Sequence, residues 1–395
     1  MPLTICNNVT SFDRGHAPPE SRHLGTRDRD NPTNRFDFPG KALALSRAAI
    51  ELKEYVNGKQ GSTTHGPQLR PIKIFGASRV AEEGDLLKVH TEAYLSSLKT
   101  ACELSRQKMR AGEDPFITFG EEADVTPGTY EAARCSVGAA FDAADIALQT
   151  KDATAFALVW PPGHHAEPDR AMGFCYLSTA ALSALYARDH AVQMRPGNPN
   201  KVVVIDIDHH RGNGTAASIA NKEGVFFVDL VYRSPYDSVA RAYSDNAREY
   251  PYVHDDVSRG IKSHPVIEAP NIKTIEFEGF QKSSTIVERF IAEALPRIRE
   301  FNPDIVVWSV GLDSARGDPL GGLGLLPSAF YTLIKGIRLM CPEARHCGVL
   351  EGGYEQRLGS RCLKPALMAF HDELQDSRSQ AFRKYRPTFS PHEEK

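Results

Sequence analysis

From residue 155 onward, short apolar runs alternate with stretches of helical periodicity. Ala155–Trp160, Val202–Asp206, Val225–Val231, Ile305–Val310 and His346–Leu350 read as strands, because Val/Ile-rich runs without polar alternation suit a sheet covered on both faces. Gly173–Ala187, Ser284–Phe301 and Ser328–Met340 read as intervening helices. This order predicts an α/β fold: a single domain with a mostly parallel sheet flanked by helices on both faces. Upstream, Gly40–Val56 carries an amphipathic pattern (Ala42, Leu43, Leu45, Ala48, Ala49, Leu52) with Gly58 as its stop. Helical patterns continue in Asp85–Arg110, and Tyr130–Leu148 is Ala-rich and apolar enough to be a buried helix. Phe116–Thr129, with Glu121, Glu122, Asp124 and Pro127, reads as loop, as does Ser11–Phe38 with its Arg, Asp, Pro and Asn; Gly58–Arg70 reads as an exposed turn. The expected organisation is an N-terminal loop segment packing on or near the site (1–38), a catalytic domain (39–375) and a C-terminal tail (376–395).

Composition narrows the function classes. A net charge of −3 argues against a nucleic-acid or membrane-surface binder, since counterion release needs a concentrated basic face. The seven cysteines are scattered and form no CxxC pair, which fits a reducing compartment. The first residues lack a charged segment followed by an apolar core, and no apolar run approaches ~18 residues. No nuclear-import cluster stands out, so a cytoplasmic location is the default, with nuclear entry open.

The chemistry gathers at strand ends. In Val202-Val203-Val204-Ile205-Asp206-Ile207-Asp208-His209-His210-Arg211-Gly212-Asn213-Gly214-Thr215, alternation puts Asp206 and Asp208 on one side, with His210 in phase if the chain stays extended. Carboxylate oxygen with imidazole nitrogen suits a borderline cation such as zinc. The plainer reading is two helix caps and a solvated histidine pair. Three further strand ends are polar: Trp160-Pro161-Pro162-Gly163-His164-His165, Val310-Gly311-Leu312-Asp313 leading to Gly317-Asp318-Pro319-Leu320-Gly321-Gly322, and Leu350-Glu351-Gly352-Gly353-Tyr354. Each alone has a bland explanation as turn or cap; together they place acids, histidines and a tyrosine at one end of a predicted parallel sheet.

With these motifs the chain resembles the zinc-dependent histone deacetylase and acetylpolyamine amidohydrolase family, class II-like, with an arginase-like fold, over approximately Arg35 to Phe370. The resemblance implies Zn2+ held by Asp208, His210 and Asp313. It implies His165 as general base and then acid, His164 as its electrostatic and proton-relay partner, Asp206 orienting His164, Asn213 orienting His165, and Tyr354 donating to the tetrahedral oxyanion. Gly173 and Phe174 match a segment that walls a narrow acyl-lysine tunnel, Glu122 stands where a rim acid grips substrate backbone, with Glu121 and Asp124 equally available for that place, and Tyr252 is the candidate for the second wall. A structural K+ site is also implied, but there Asp229 replaces a serine and Val231 a histidine. Arg211 stands where a second histidine is usual, and His209 occupies the variable position before His210, so a slipped register would make His209 the ligand.

The expected substrate is an acetylated protein, a histone among the candidates, or an acetylated small amine. Leu320 favours protein lysine, since polyamine-specific eukaryotic relatives carry an acid there to attract a cationic chain. The competing readings are an acetylpolyamine deacetylase and a non-catalytic acyl-lysine-binding module. A binuclear manganese enzyme of arginase type needs additional Asp/His ligands that are not found. Oligomeric state is not legible.

Overall fold

The structure, a computed structural model, describes residues 3–7, 38–58, 71–76, 79–149, 153–189, 199–233, 266–279, 281–321 and 323–371. The strands are β1 (Leu3–Asn7), β2 (Lys73–Gly76), β3 (Ile117–Gly120), β4 (Ala123–Val125), β5 (Thr154–Leu158), β6 (Val202–Asp206), β7 (Val225–Arg233), β8 (Ile272–Glu278), β9 (Ile305–Val310) and β10 (Arg345–Leu350). The α-helices are α1 (Phe38–Gly58), α2 (Glu83–Leu86), α3 (Glu92–Arg110), α4 (Thr129–Gln149), α5 (Thr179–Asp189), α6 (Asn213–Ile219), α7 (Ser283–Phe301), α8 (Pro327–Met340) and α9 (Gln356–His371). Eight strands form one sheet in the order β2-β1-β5-β10-β9-β6-β7-β8, and every pairing is parallel. Every residue of β5, β6 and β9 is buried, so both faces of the sheet are covered. Helices α4 and α5 pack together against it, as do α1, α9, α8 and α7.

Local sequence explains the helix boundaries. Thr91 caps α3 by accepting from the Tyr94 N–H at 3.2 Å. Pro327 opens α8 at a position where a missing N–H costs nothing. Helix α7 buries Ile286, Phe290, Ala294 and Ile298, and stops at Asn302, which takes the left-handed conformation (φ 53°).

Register matters most for function. Asp206 pairs with Ser309 on one side and Asp229 on the other, and Leu350 pairs with Val310. The carboxyl ends of β6, β9 and β10 are therefore level, and the loops that leave them start from one edge.

Several expectations are corrected. Leu3–Asn7, placed in the N-terminal loop segment 1–38, is instead an inner strand between β2 and β5. Five residues without alternation are too short to distinguish from loop by periodicity. Helix α5 begins at Thr179 rather than Gly173, because Gly173 and Phe174 hold positive φ (53° and 64°) and pair with the 121–122 turn. The loop expected over Phe116–Thr129 contains the antiparallel hairpin β3–β4. Strands β2 and β8 and helices α6 and α9 were not expected; half-exposed β8 mixes Lys and Glu among its apolar residues, and α9 carries Pro365. The loops expected at 11–37 and 59–70, Tyr252, and the tail 376–395 lie outside the described residues.

Candidate active site

The loop after β6, a single 3₁₀ turn after β9 (Leu312–Ser314) and the glycine turn after β10 converge. Asp208, His210 and Asp313 each offer one donor atom, all within 4.8 Å of one another. His210 Nδ1 lies 3.1 Å from Asp208 Oδ1 and 3.3 Å from Asp313 Oδ2. The other carboxylate oxygens are fixed by backbone: the Gly352 N–H donates to Asp208 Oδ2 (3.0 Å) and the His209 N–H to Asp313 Oδ1 (3.1 Å). Asp313 Oδ2 is buried, and beyond its 3.3 Å contact with His210 Nδ1 it has no partner among the described residues. Burial and the neighbouring Asp208 push the Asp313 carboxyl up to about 6, against the pull of His210. Burial would lower His210, yet hydrogen bonding to Asp208 and Asp313 raises it to about 10. Two buried carboxylates this close form an anionic cluster that a bound cation would stabilise.

Backbone approach is too close here for side chains. A Cβ built on Gly311 would sit 1.9 Å from Asp208 Oδ2, and one on Gly352 2.1 Å from Asp313 Oδ2. Glycine at both positions is the condition for two loops to meet over two carboxylates.

His164 and His165 follow β5 in the Pro161–Gly163 turn, and both are buried. Their rings lie 3.9 Å apart, tilted by 42°, so the irregular turn lets both address one site. His164 Nδ1 is 3.1 Å from Asp206 Oδ2 and its Nε2 3.7 Å from Asp208 Oδ1. His165 Nδ1 is 2.8 Å from Asn213 Oδ1. Burial opposes charge on both rings, but Asp208 and Asp206 overcome it at His164 and hold that imidazole well above its ordinary range. At His165 burial is reinforced by His164 and His210, and the ring is held well below. Adjacent histidines are thus pushed apart, one toward the cation and one toward the neutral base.

Glu351, unassigned from sequence, organises the floor. Its Oε2 accepts from the N–H groups of Gly163 (2.7 Å) and His164 (3.1 Å), while Ser309 Oγ donates to its Oε1 (2.9 Å). Asp318 plays a similar part on the other wall, accepting from the Tyr354 N–H at 2.7 Å and the Leu320 N–H at 3.0 Å. An acid at a strand end beside paired glycines, and an acid just after a glycine in the Leu320 loop, were the signals available for them.

The ring of Tyr354 lies 5.8 Å from that of Phe174, and burial, with Asp313 and Asp208 nearby, pushes its phenol well up. Glu122, at the exposed hairpin turn with φ 51°, accepts through its carbonyl from the Phe174 N–H (3.1 Å), while Glu121 accepts from Gly173 (2.9 Å). The structure therefore joins Gly173 and Phe174 to the 121–122 turn, sets Phe174 beside Tyr354, and ties Tyr354 and Leu320 to the same Asp318 carboxylate. The slipped register is not adopted: the His209 ring stacks on Tyr232 at 4.7 Å, and His210 belongs to the trio. Arg211 is buried and reaches across to Glu276 (2.9 Å) on β8, the register partner of Val231. Buried Asp229 accepts from the Gly212 N–H at 3.4 Å.

Comparison with known proteins agrees with the fold. The histone deacetylase domain matches residues 62–370, and the chain belongs to the histone deacetylase family. A histone deacetylase-like amidohydrolase of Pseudomonas aeruginosa is 30% identical over 283 residues, covering 70% of this chain and 65% of that protein. Histone deacetylase HDA1 of Saccharomyces cerevisiae is 27% identical over 277 residues (70% of this chain, 36% of that one). The polyamine deacetylase HDAC10 of Danio rerio is 30% identical over 278 residues (70% and 38%). The chain thus spans less than two thirds of the length of these three relatives. Among solved structures, the HDA15 HD domain superposes with a TM-score of 0.69 at 22% identity, covering 96% of this chain and 92% of that one. The acetylpolyamine aminohydrolase from Burkholderia pseudomallei gives 0.65 at 21% identity, covering 94% and 98%. No helix among the described residues is long and apolar enough to cross a membrane.

Gly352→Ala places a methyl group against Asp313 Oδ2 and Asp208 Oδ2 and should weaken divalent-metal binding ~10- to 100-fold, as displaced support of ligands does elsewhere. Competition with a chromogenic chelator measures this; unchanged affinity would show that the glycine turn does not hold the donors.

Proposed function

We propose that the chain is a zinc-dependent amidohydrolase that removes acetyl groups from lysine side chains of proteins. The observation that carries this reading is the buried convergence of two carboxylates and one imidazole, Asp208, Asp313 and His210, with one donor atom of each within 4.8 Å of the others. Two oxygen donors and one nitrogen suit zinc, and three protein donors rather than four is the number that hydrolytic zinc sites use. Asp208, His210 and Asp313 would hold the ion, and what it supplies when bound is Lewis acidity toward the amide carbonyl and the attacking water.

The chain's own residues do the rest. His165, neutral and with Nδ1 on Asn213, takes a proton from the attacking water and passes it to the departing amine. His164, held on Asp206, stays positive and stabilises charge building on the substrate. Tyr354 keeps its phenolic proton and donates it in a hydrogen bond to the carbonyl oxygen as that oxygen becomes an oxyanion. Phe174 and Gly173 wall the passage of the lysine stem, and Glu122 on the rim takes the substrate backbone. Half-buried Leu320 offers a polyamine's distal ammonium no partner, which favours protein lysine over an acetylated polyamine.

The structural potassium ion fits this chain poorly. The Arg211 guanidinium is buried over the β7–β8 face that carries Asp229, Val231 and Glu276, and supplies positive charge there already. Substituting KCl for choline chloride at constant ionic strength should leave the melting temperature unchanged; a rise in KCl alone would mean that a potassium ion does bind.

Acetate release by the zinc-loaded chain from an acetyl-lysine peptide and from an N-acetylated polyamine tests the main reading. The expected result is turnover favouring the peptide, with Tyr354→Phe losing ~10²–10³ in kcat. Preference for the polyamine would overturn the reading of Leu320, and no turnover of either would leave an acyl-lysine-binding module.

A further inference from the structure

Asn213 poses a problem that an aspartate would not. A carboxylate can only accept, so it always selects the His tautomer with a proton on Nδ1. An amide can turn over at almost no change in shape, and the reversed amide would offer Nδ2 to His165 Nδ1 and select the wrong tautomer. Something must hold the amide one way round.

The surroundings of Nδ2 supply it. Asn213 Nδ2 donates to Glu167 Oε1 at 2.7 Å, and also faces Met172 Sδ at 3.2 Å and the His165 carbonyl at 3.4 Å. A carboxylate, a thioether and a carbonyl all accept and none donates. Reversal would set the amide oxygen against all three, oxygen to oxygen at Glu167. Glu167 is itself held: its Oε2 accepts from Arg170 Nη2 at 2.5 Å, and its backbone exchanges hydrogen bonds with Arg170. With Nδ2 fixed, Oδ1 faces His165 Nδ1 at 2.8 Å, Nδ1 must carry the proton, and the Nε2 lone pair is left for the reaction.

We infer that Glu167 is a positioning residue that, by fixing the orientation of the Asn213 amide, fixes the tautomer in which His165 works as a base. This rests on the proposed amidohydrolase reading for its catalytic consequence, but not for the tautomer itself. Glu167 thus takes over, through a neutral amide, part of what a directly placed carboxylate would do at position 213.

The test is a double-mutant cycle in the zinc-loaded full chain: wild type, Glu167→Ala, Asn213→Asp and the double variant, assayed for acetate release from an acetyl-lysine peptide. Glu167→Ala should lower kcat at least about 10-fold with little change in KM; a fully wrong tautomer in another hydrolase costs ~10⁴, and a freely turning amide is wrong only part of the time. In the Asn213→Asp background two carboxylates would face each other across the gap now spanned by the 2.7 Å hydrogen bond, so removing Glu167 should raise kcat. That reversal of sign is the expected result. Loss of activity in both backgrounds would mean that Glu167 only supports the loop, and no loss in the Asn213 background would mean that the amide needs no holding; either overturns the inference. A second readout needs no variant and no turnover: histidine-selective ¹⁵N NMR of the wild-type protein should show His165 protonated at Nδ1, and protonation at Nε2 overturns the inference directly. If the wild type releases no acetate but shows the Nδ1–H tautomer, the proposed reaction fails while the positioning role stands.

Discussion

Two buried carboxylates, Asp208 and Asp313, have to lie side by side in this molecule, and much of its architecture serves that constraint. Left alone, such a pair would be costly, since each buried charge without a partner is disfavoured by several kcal/mol. Here each carboxylate accepts from backbone N–H groups, Asp208 through both oxygens and Asp313 through one, and each presents an oxygen to the His210 ring. The loops can meet only because Gly311 and Gly352 carry no Cβ, and they meet at all because β6, β9 and β10 end level in a fully parallel sheet. Sheet register, glycine placement and charge are thus three levels of a single requirement: a compact, buried anionic cluster at one edge of the sheet.

The same principle separates the two histidines beside it. Chemically identical and adjacent in sequence, they differ in what faces Nδ1: a carboxylate at His164, an amide at His165. One ring is drawn toward the charged state and the other toward the neutral one, which under the proposed function would give one site both an electrostatic group and a base. Replacing the second carboxylate by an amide sharpens this division, since it avoids a further negative charge near the trio, but it passes the task of orienting the ring to the groups that hold the amide.

Much of this was legible in the sequence, for identifiable reasons. Val202–Asp206 and Ile305–Val310 stand as expected because central parallel strands are continuous apolar runs, and the polar residues that follow them are too dense to be incidental. The trio, the histidine pair and their Asp206 and Asn213 partners are reached through the family resemblance of motifs that follow β5, β6 and β9. What escaped depends on long-range contacts. β1 is recognisable only through its neighbours β2 and β5, and Glu351 and Asp318 act through hydrogen bonds to loops far off in the chain. Gly173 and Phe174 follow the helical pattern of the segment after them, yet tertiary pairing with the 121–122 turn pulls them out of the helix. Glu167 sits two residues from a histidine that sequence picks out, but only the distance to Asn213 gives it meaning.

The central claim is that the converged donors form a zinc site. The most direct measurement is the zinc content of the purified full chain after exposure to zinc and removal of excess metal, compared with Asp313→Ala. The account predicts stoichiometric zinc in the parent chain and its loss in the variant, with both chains folded by circular dichroism. A parent chain that retains no zinc, or a variant that retains as much, would contradict it.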